Sequence, residues 1–179
     1  FSVSAVDGAG ELSSYSNFGD WIDLVFFGDN GNFFLPNRKD LARFPGIKVT
    51  CNTYPARVYW WVKFLSKDRE KPYGMTSRRG RISWNGNSGA AAINLAANLG
   101  ATRIILLGFD MNLPEDGSTH WHSLYPGRTA RSAEAIFKRH LKGFPHIARD
   151  ARKRGVEIIN ANPNSAIGAF PKTELKNLI

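Results

Sequence analysis

The stretch NGNSGAAAINLAANLGATRIILLGFD, Asn85 to Asp110, decides the fold. It opens on a polar turn, Asn85-Gly86-Asn87-Ser88-Gly89. A run of Ala with Ile93, Leu95 and Leu99 then predicts a helix over 89–99, capped by Ser88 or Asn87. Such small residues suit a helix lying close on a sheet. Gly100 suits the left-handed residue that follows a helix. Arg103 to Leu107 reads as a buried strand ending at Gly108-Phe109-Asp110.

The same grammar extends in both directions. Upstream, Ile22 to Phe27 and Ile47 to Cys51 read as strands, with a short helix between them from about Pro36 to Phe44. Residues 57–65 suit strand or helix. The charged stretch 66–81 reads as an exposed loop. Its aromatic neighbours Trp60, Trp61 and Tyr73 are candidates for the core. Downstream, a long loop over 112–130 leads to a helix expected to start at Ser132. Pro145 interrupts or restarts that helix, and a last strand covers Val156 to Asn160. Strand, helix, strand in this order, with strands apolar on both faces, predicts an α/β domain with a mostly parallel sheet covered by helices. Residues 1–20, rich in Ser, Gly and Asp, form an irregular N-terminal segment, and 21–179 form the domain. Phe1-Ser2-Val3, in place of an initiating Met, suggests residues upstream.

Composition narrows the function classes. The chain has 179 residues, enough for one domain of the usual size, and 42% of them are hydrophobic, which excludes a disordered chain. No apolar run approaches the roughly 20 residues of a membrane helix. The single cysteine, Cys51, excludes an internal disulfide framework and Cys-rich zinc modules. Lys and Arg number 24 against 15 Asp and Glu, a net charge of +9 that favours an anionic partner. A cytoplasmic location is expected. Homo-oligomerisation is left open.

In a parallel sheet, ligands bind beyond the carboxyl ends of the strands. Four polar stretches are expected to meet there: Gly28-Asp29-Asn30, Asn85 to Gly89, Gly108-Phe109-Asp110 and Asn160-Ala161-Asn162. The turn before the helix suits a phosphate or carboxylate; the same residues also serve as ordinary caps and turn formers. It is neither a Walker loop nor G-x-G-x-x-G. His120-Trp121-His122 offers a general base, a weak metal site with Asp110, or two solvated loop histidines. Asp29 and Asp110 suit a ribose hydroxyl or a turn. Tyr125 and Arg128 suit a phosphate or plain surface. Residues 67–81 suit a solvated face or a nucleic-acid patch. His140 and His146 receive no role.

Asn87 to Met111 resembles the central segment of bacterial sialyltransferases of the Campylobacter type, and still more a group of related phage and bacterial proteins. The shared features are the Ser-Gly helix opening, the Leu-Gly-Ala turn and the Gly-x-Asp strand exit. Asn162-Pro163-Asn164-Ser165 resembles their Pro-Asn-Ser turn. Val25-Phe26-Phe27-Gly28-Asp29 resembles the strand leading into their nucleotide pocket. Strong matches cover about 87–111 and 156–170.

The resemblance implies a single Rossmann-like three-layer domain and a glycosyltransferase-like activity. The donor would be a nucleotide-activated sugar, most naturally a CMP-sugar, and the acceptor a hydroxyl. No cofactor and no essential metal are implied. Nucleotide contacts map to Gly28, Asp29, Asn30, Asn87, Ser88, Gly89, Asp110, Asn112, Pro163, Asn164 and Ser165. The base maps to His122 or His120. Where the family carries aromatic hydroxyls after the Gly-x-Asp exit, this chain has Met111-Asn112. Tyr125 is then the substitute, with Arg128, for stabilising the departing phosphate. The family's N-terminal Gly-rich nucleotide loop finds no convincing match in residues 1–20. The alternatives are a phage or prophage protein that binds nucleotide or nucleic acid without catalysis, and a nucleotide-dependent pyrophosphoryl transferase.

Overall fold

A computed structural model describes residues 24–27, 34–113 and 130–178. The first strand is β1 (Leu24–Phe27), followed by α1 (Leu35–Arg43), β2 (Ile47–Thr50), α2 (Thr53–Val58) and β3 (Val62–Phe64). Two short strands, β4 (Ser66–Lys67) and β5 (Arg81–Ile82), lead to α3 (Ser88–Asn98) and β6 (Arg103–Leu106). The chain continues with α4 (Ala130–Leu141), α5 (Phe144–Arg154) and β7 (Glu157–Asn160), and ends in a 3-10 turn, Leu175–Asn177. The ambiguous 57–65 stretch holds both a helix end and a strand. Ser132 lies inside α4 rather than capping it, because the helix already begins at Ala130.

Every strand pair is parallel: β1 with β2, β2 with β3, β4 with β5, and β6 with β7. Among the described residues these form three separate ladders and no closed barrel. In the first ladder Leu24 pairs with Ile47, Phe26 with Val49 and Lys48 with Val62. In-register partners share a face and neighbours along a strand alternate. One face thus carries Leu24, Phe26 and Val49, which pack with Ala91 and Leu95 of α3. The other carries Val62, packed with Phe34 and with Leu41 of α1. A third cluster joins α3, β6, α5 and β7 through Ala90, Ile93, Leu106, Ile147 and Ile158. Helix α3 contributes to two clusters, so it is buried on two sides. Ala fits such a position because it lets backbones approach at no cost in side-chain entropy.

Residues 66–81 correct the expectation of an exposed loop. The segment carries charge outward but is anchored by buried polar groups. Asp68 is 2% exposed and accepts from Thr76 Oγ1 at 2.6 Å and from the N–H groups of Glu70 and Lys71. Asn94, fully buried on α3, accepts from Ser83 N at 2.9 Å and Thr76 N at 3.2 Å and donates to Thr76 O at 3.0 Å. Asn85 grips the Gly74 backbone at both N–H and C=O. Asp150 on α5 accepts from Met75 N at 2.9 Å and pairs with Lys71 at 2.8 Å. Buried backbone groups must be paired, and these side chains pair them where no ladder exists. Trp60, 90% exposed, and Tyr73, 38% exposed, are further corrections: both lie outside the core. No helix among the described residues is long and apolar enough to cross a membrane.

Candidate functional site

The N-terminus of α3 is set by Asn87, whose extended backbone (φ −154°, ψ 158°) and side chain form the cap. Its Oδ1 accepts from Ala90 N at 2.7 Å, and its carbonyl accepts from Ala91 N at 3.2 Å. The N–H groups of Ser88 and Gly89 have no acceptor among the described residues. Asn87 is 8% exposed, and its Nδ2 is a buried donor without a partner among the described residues. A buried amide nitrogen left unpaired costs about 1–3 kcal/mol, so an acceptor arriving there gains more than it would at an exposed donor. The partial positive charge of the helix start adds to this.

The exit of β6 lies against this helix start. A Cβ on Gly89 would stand 2.9 and 3.0 Å from carbons of the Phe109 ring, so glycine lets the ring close over the first turn. The Phe109 ring also meets Phe144 edge-on, with centroids 6.3 Å apart. Met111 follows with φ 55°, a left-handed conformation rare for a residue with a long side chain.

The turn after β7 docks on the same exit. Ser165 Oγ donates to Phe109 O at 2.5 Å, Asn160 Nδ2 to the same oxygen at 3.0 Å, and Ala166 N to Asp110 O at 2.7 Å. Asn162 Nδ2 donates to the Asp110 carboxylate. Asn112 Nδ2 donates to Asn164 O at 3.1 Å, and the Lys172 ammonium reaches Ser165 O. The structure thus joins Asp110, Asn112, Asn164 and Ser165 directly, with Pro163 in the same turn, and links them through Phe109 to Gly89 beside Asn87 and Ser88.

Gly28, Asp29, Asn30, His120, His122, Tyr125 and Arg128 lie outside the described residues. Sequence reasoning did not single out Lys172, or Asn160 and Asn162 as the donors that fix the β6 exit; an Asn-rich strand end was their only signal. A groove of about 470 Å³ between α5 and residues 166–169, apolar apart from Arg152, is lined by none of the expected site residues. Among the described residues no cluster of three His, Cys, Asp or Glu could hold a metal ion.

No family model, curated protein or solved structure matches the chain.

Proposed function

We propose that the chain is a glycosyltransferase-like protein whose α3 start receives the phosphate of a nucleotide-activated sugar, with a CMP-sugar as donor and a hydroxyl compound as acceptor. The observation that carries the reading is the unpartnered, buried Asn87 amide at a helix start whose first two N–H groups are open to an acceptor among the described residues. A phosphate oxygen satisfies both needs at once. The two parallel strand exits beside it support a single Rossmann-like three-layer domain, in which such crevices hold ligands. In this reading Asp110 orients a ribose hydroxyl, with the 162–165 turn closing behind it. His122 or His120 takes the acceptor's proton, and Tyr125 and Arg128 meet the departing phosphate, as the sialyltransferase likeness implies.

A thermal-shift series with CMP, CDP, ATP and a CMP-sugar tests binding, because a ligand of the folded state raises its melting temperature. Asn87→Ser keeps a capping oxygen for Ala90 N–H but removes the amide donor. The expected result is near-unchanged stability without ligand, and loss of most of the CMP-induced shift. In the same preparations, CMP-sugar hydrolysis is expected to fall at least 100-fold in His122→Ala or in His120→Ala, the usual scale of a lost general base. No shift with any nucleotide defeats the reading. A shift without a histidine-dependent reaction leaves a nucleotide-binding protein without catalysis.

A further inference from the structure

The positive charge of this chain is not confined to its densest basic run. In residues 67–81, Arg78 is bound by Asp68 at 3.3 Å and Glu70 at 2.5 Å, and Arg81 stands 4.0 Å from Asp68. Residues 34–66 hold a further six Lys and Arg against one acid, Asp40, which is already 3.8 Å from Arg43. The β2–β3 register sets Lys48 beside Val62, so the end of α1, the start of β2 and the Trp60-Trp61 approach to β3 share one end of the ladder. Val58, 54% exposed, ends α2 just before it.

At that end an aromatic ring and cations alternate. Trp60 stands out from the surface, with Arg57 and Lys63 exposed three residues to either side. The Lys48 side chain is nine-tenths buried, and its ammonium lies 5.7 Å from the centroids of both Phe44 and Trp61. No carboxylate reaches it among the described residues, and burial lowers its pKa below the usual lysine value. An exposed indole flanked by exposed cations suits a polymer that alternates flat bases with phosphates.

We propose that this end of the β1–β2–β3 ladder binds single-stranded nucleic acid, with Trp60 stacking on a base and Arg57 and Lys63 facing phosphates. A single strand is favoured over a duplex because only unpaired bases offer their faces to an indole. It is favoured over a lipid surface because the apolar residues Ile47, Val58 and Trp60 are interleaved with cations rather than continuous. The surface lies at the amino ends of β2 and β3, whereas the nucleotide site is built at the carboxyl ends of β6 and β7 and the start of α3.

The test is fluorescence anisotropy with a labelled 12-nucleotide oligo-dT across a salt series, using the full chain. Trp60→Ala is expected to weaken binding about ten-fold, within the range for loss of one stacked base. Its melting temperature should be unchanged, because the side chain is exposed. Trp60→Phe should recover most of the affinity. Arg57→Ala and Lys63→Ala should each lower the slope of log K against log salt by roughly 0.7. Asn87→Ser should bind the oligonucleotide as the parent does, so this surface and the nucleotide site succeed or fail separately. The proposal is overturned if Trp60→Ala binds as the parent does, if a duplex of the same length binds as tightly, or if phosphatidylserine vesicles are bound and the oligonucleotide at low salt is not.

Discussion

Asn94 lies in the middle of α3, where an asparagine is a poor helix former, and its side chain is fully buried. It remains because its side chain pairs three backbone groups of the 74–85 excursion: the N–H and C=O of Thr76 and the N–H of Ser83. Thr76 N–H has a second acceptor in Ser83 Oγ at 3.0 Å; the other two depend on Asn94. Asn94→Ala leaves those two groups buried and unpaired at about 1–3 kcal/mol each, a cost far above the few tenths gained in helix propensity. We expect a loss of about 3 kcal/mol in denaturant unfolding, against less than about 0.5 kcal/mol for Asn98→Ala on the exposed end of the same helix. Equal effects at the two positions would contradict the hydrogen-bond account. None of this was legible in the sequence. Asn85 and Asn94 read there as a turn former and a helix residue, because the groups they serve lie 11 and 18 residues away and no local pattern announces them.

Elements whose signals are local were legible. Helix α3, its cap at Asn87 or Ser88, the turn at Gly100 with φ +98° and the presence of the strand β6 follow from residues within one turn of each other, but β6 is not the buried strand its apolar run suggests: only Leu106 is buried, and Ile105 is 37% exposed. Pro145 in the first turn of α5 and Gly155 after its end are the same kind of signal. The start of α4 was missed because Ser132 looks like a cap and nothing before it forbids a helix. The 66–81 stretch was misread for a different reason. Its charges face outward, while the features that fix it are one aspartate and two asparagines reached from other elements. The two-sided burial of α3 yields an element-scale prediction. Ala91 is fully buried against Leu24, Phe26 and Val49, while Ala90 faces the other cluster. Ala91→Leu adds volume where a helix and a ladder are in contact and should cost about 1–3 kcal/mol, despite leucine being a good helix former. A melting temperature equal to or above the parent's would show that α3 has room on that side. Of the candidate site, the α3 start, Asp110 and the 162–165 turn were legible as separate polar stretches. Their closure through Phe109 and Gly89 was not, because it depends on tertiary packing.

Over the whole molecule, two buried carboxylates hold the 66–85 excursion, Asp68 from within it and Asp150 from α5, and both make stability depend on pH. Hydrogen bonding from Thr76 holds Asp68 below the usual carboxylate range, aided by the Glu70 and Lys71 N–H groups and the Arg78 charge, against the opposing effect of burial. Burial alone would push Asp150 up, but the hydrogen bonds from Lys71 and Met75 N–H and the Lys71 charge outweigh it, and its pKa is also lowered. A carboxyl with a folded pKa below its unfolded value of about 3.9 binds fewer protons in the folded state. Its contribution is therefore fully present above that value and is lost as pH falls through the folded one. Unfolding free energy should be nearly level from about pH 5 to 7 with respect to these groups, and should decline below about pH 4. Asp150→Asn keeps an acceptor for Met75 N–H but loses the charge that meets Lys71. It should therefore be less stable than the parent at pH 7, and the gap should narrow as pH falls through the lowered pKa of the parent carboxyl. Denaturant titrations of both proteins at pH 3, 5 and 7 measure that gap directly. A gap of constant size across the three would mean that Asp150 acts through shape and hydrogen bonding alone, and that its charge contributes nothing to holding the excursion on α5.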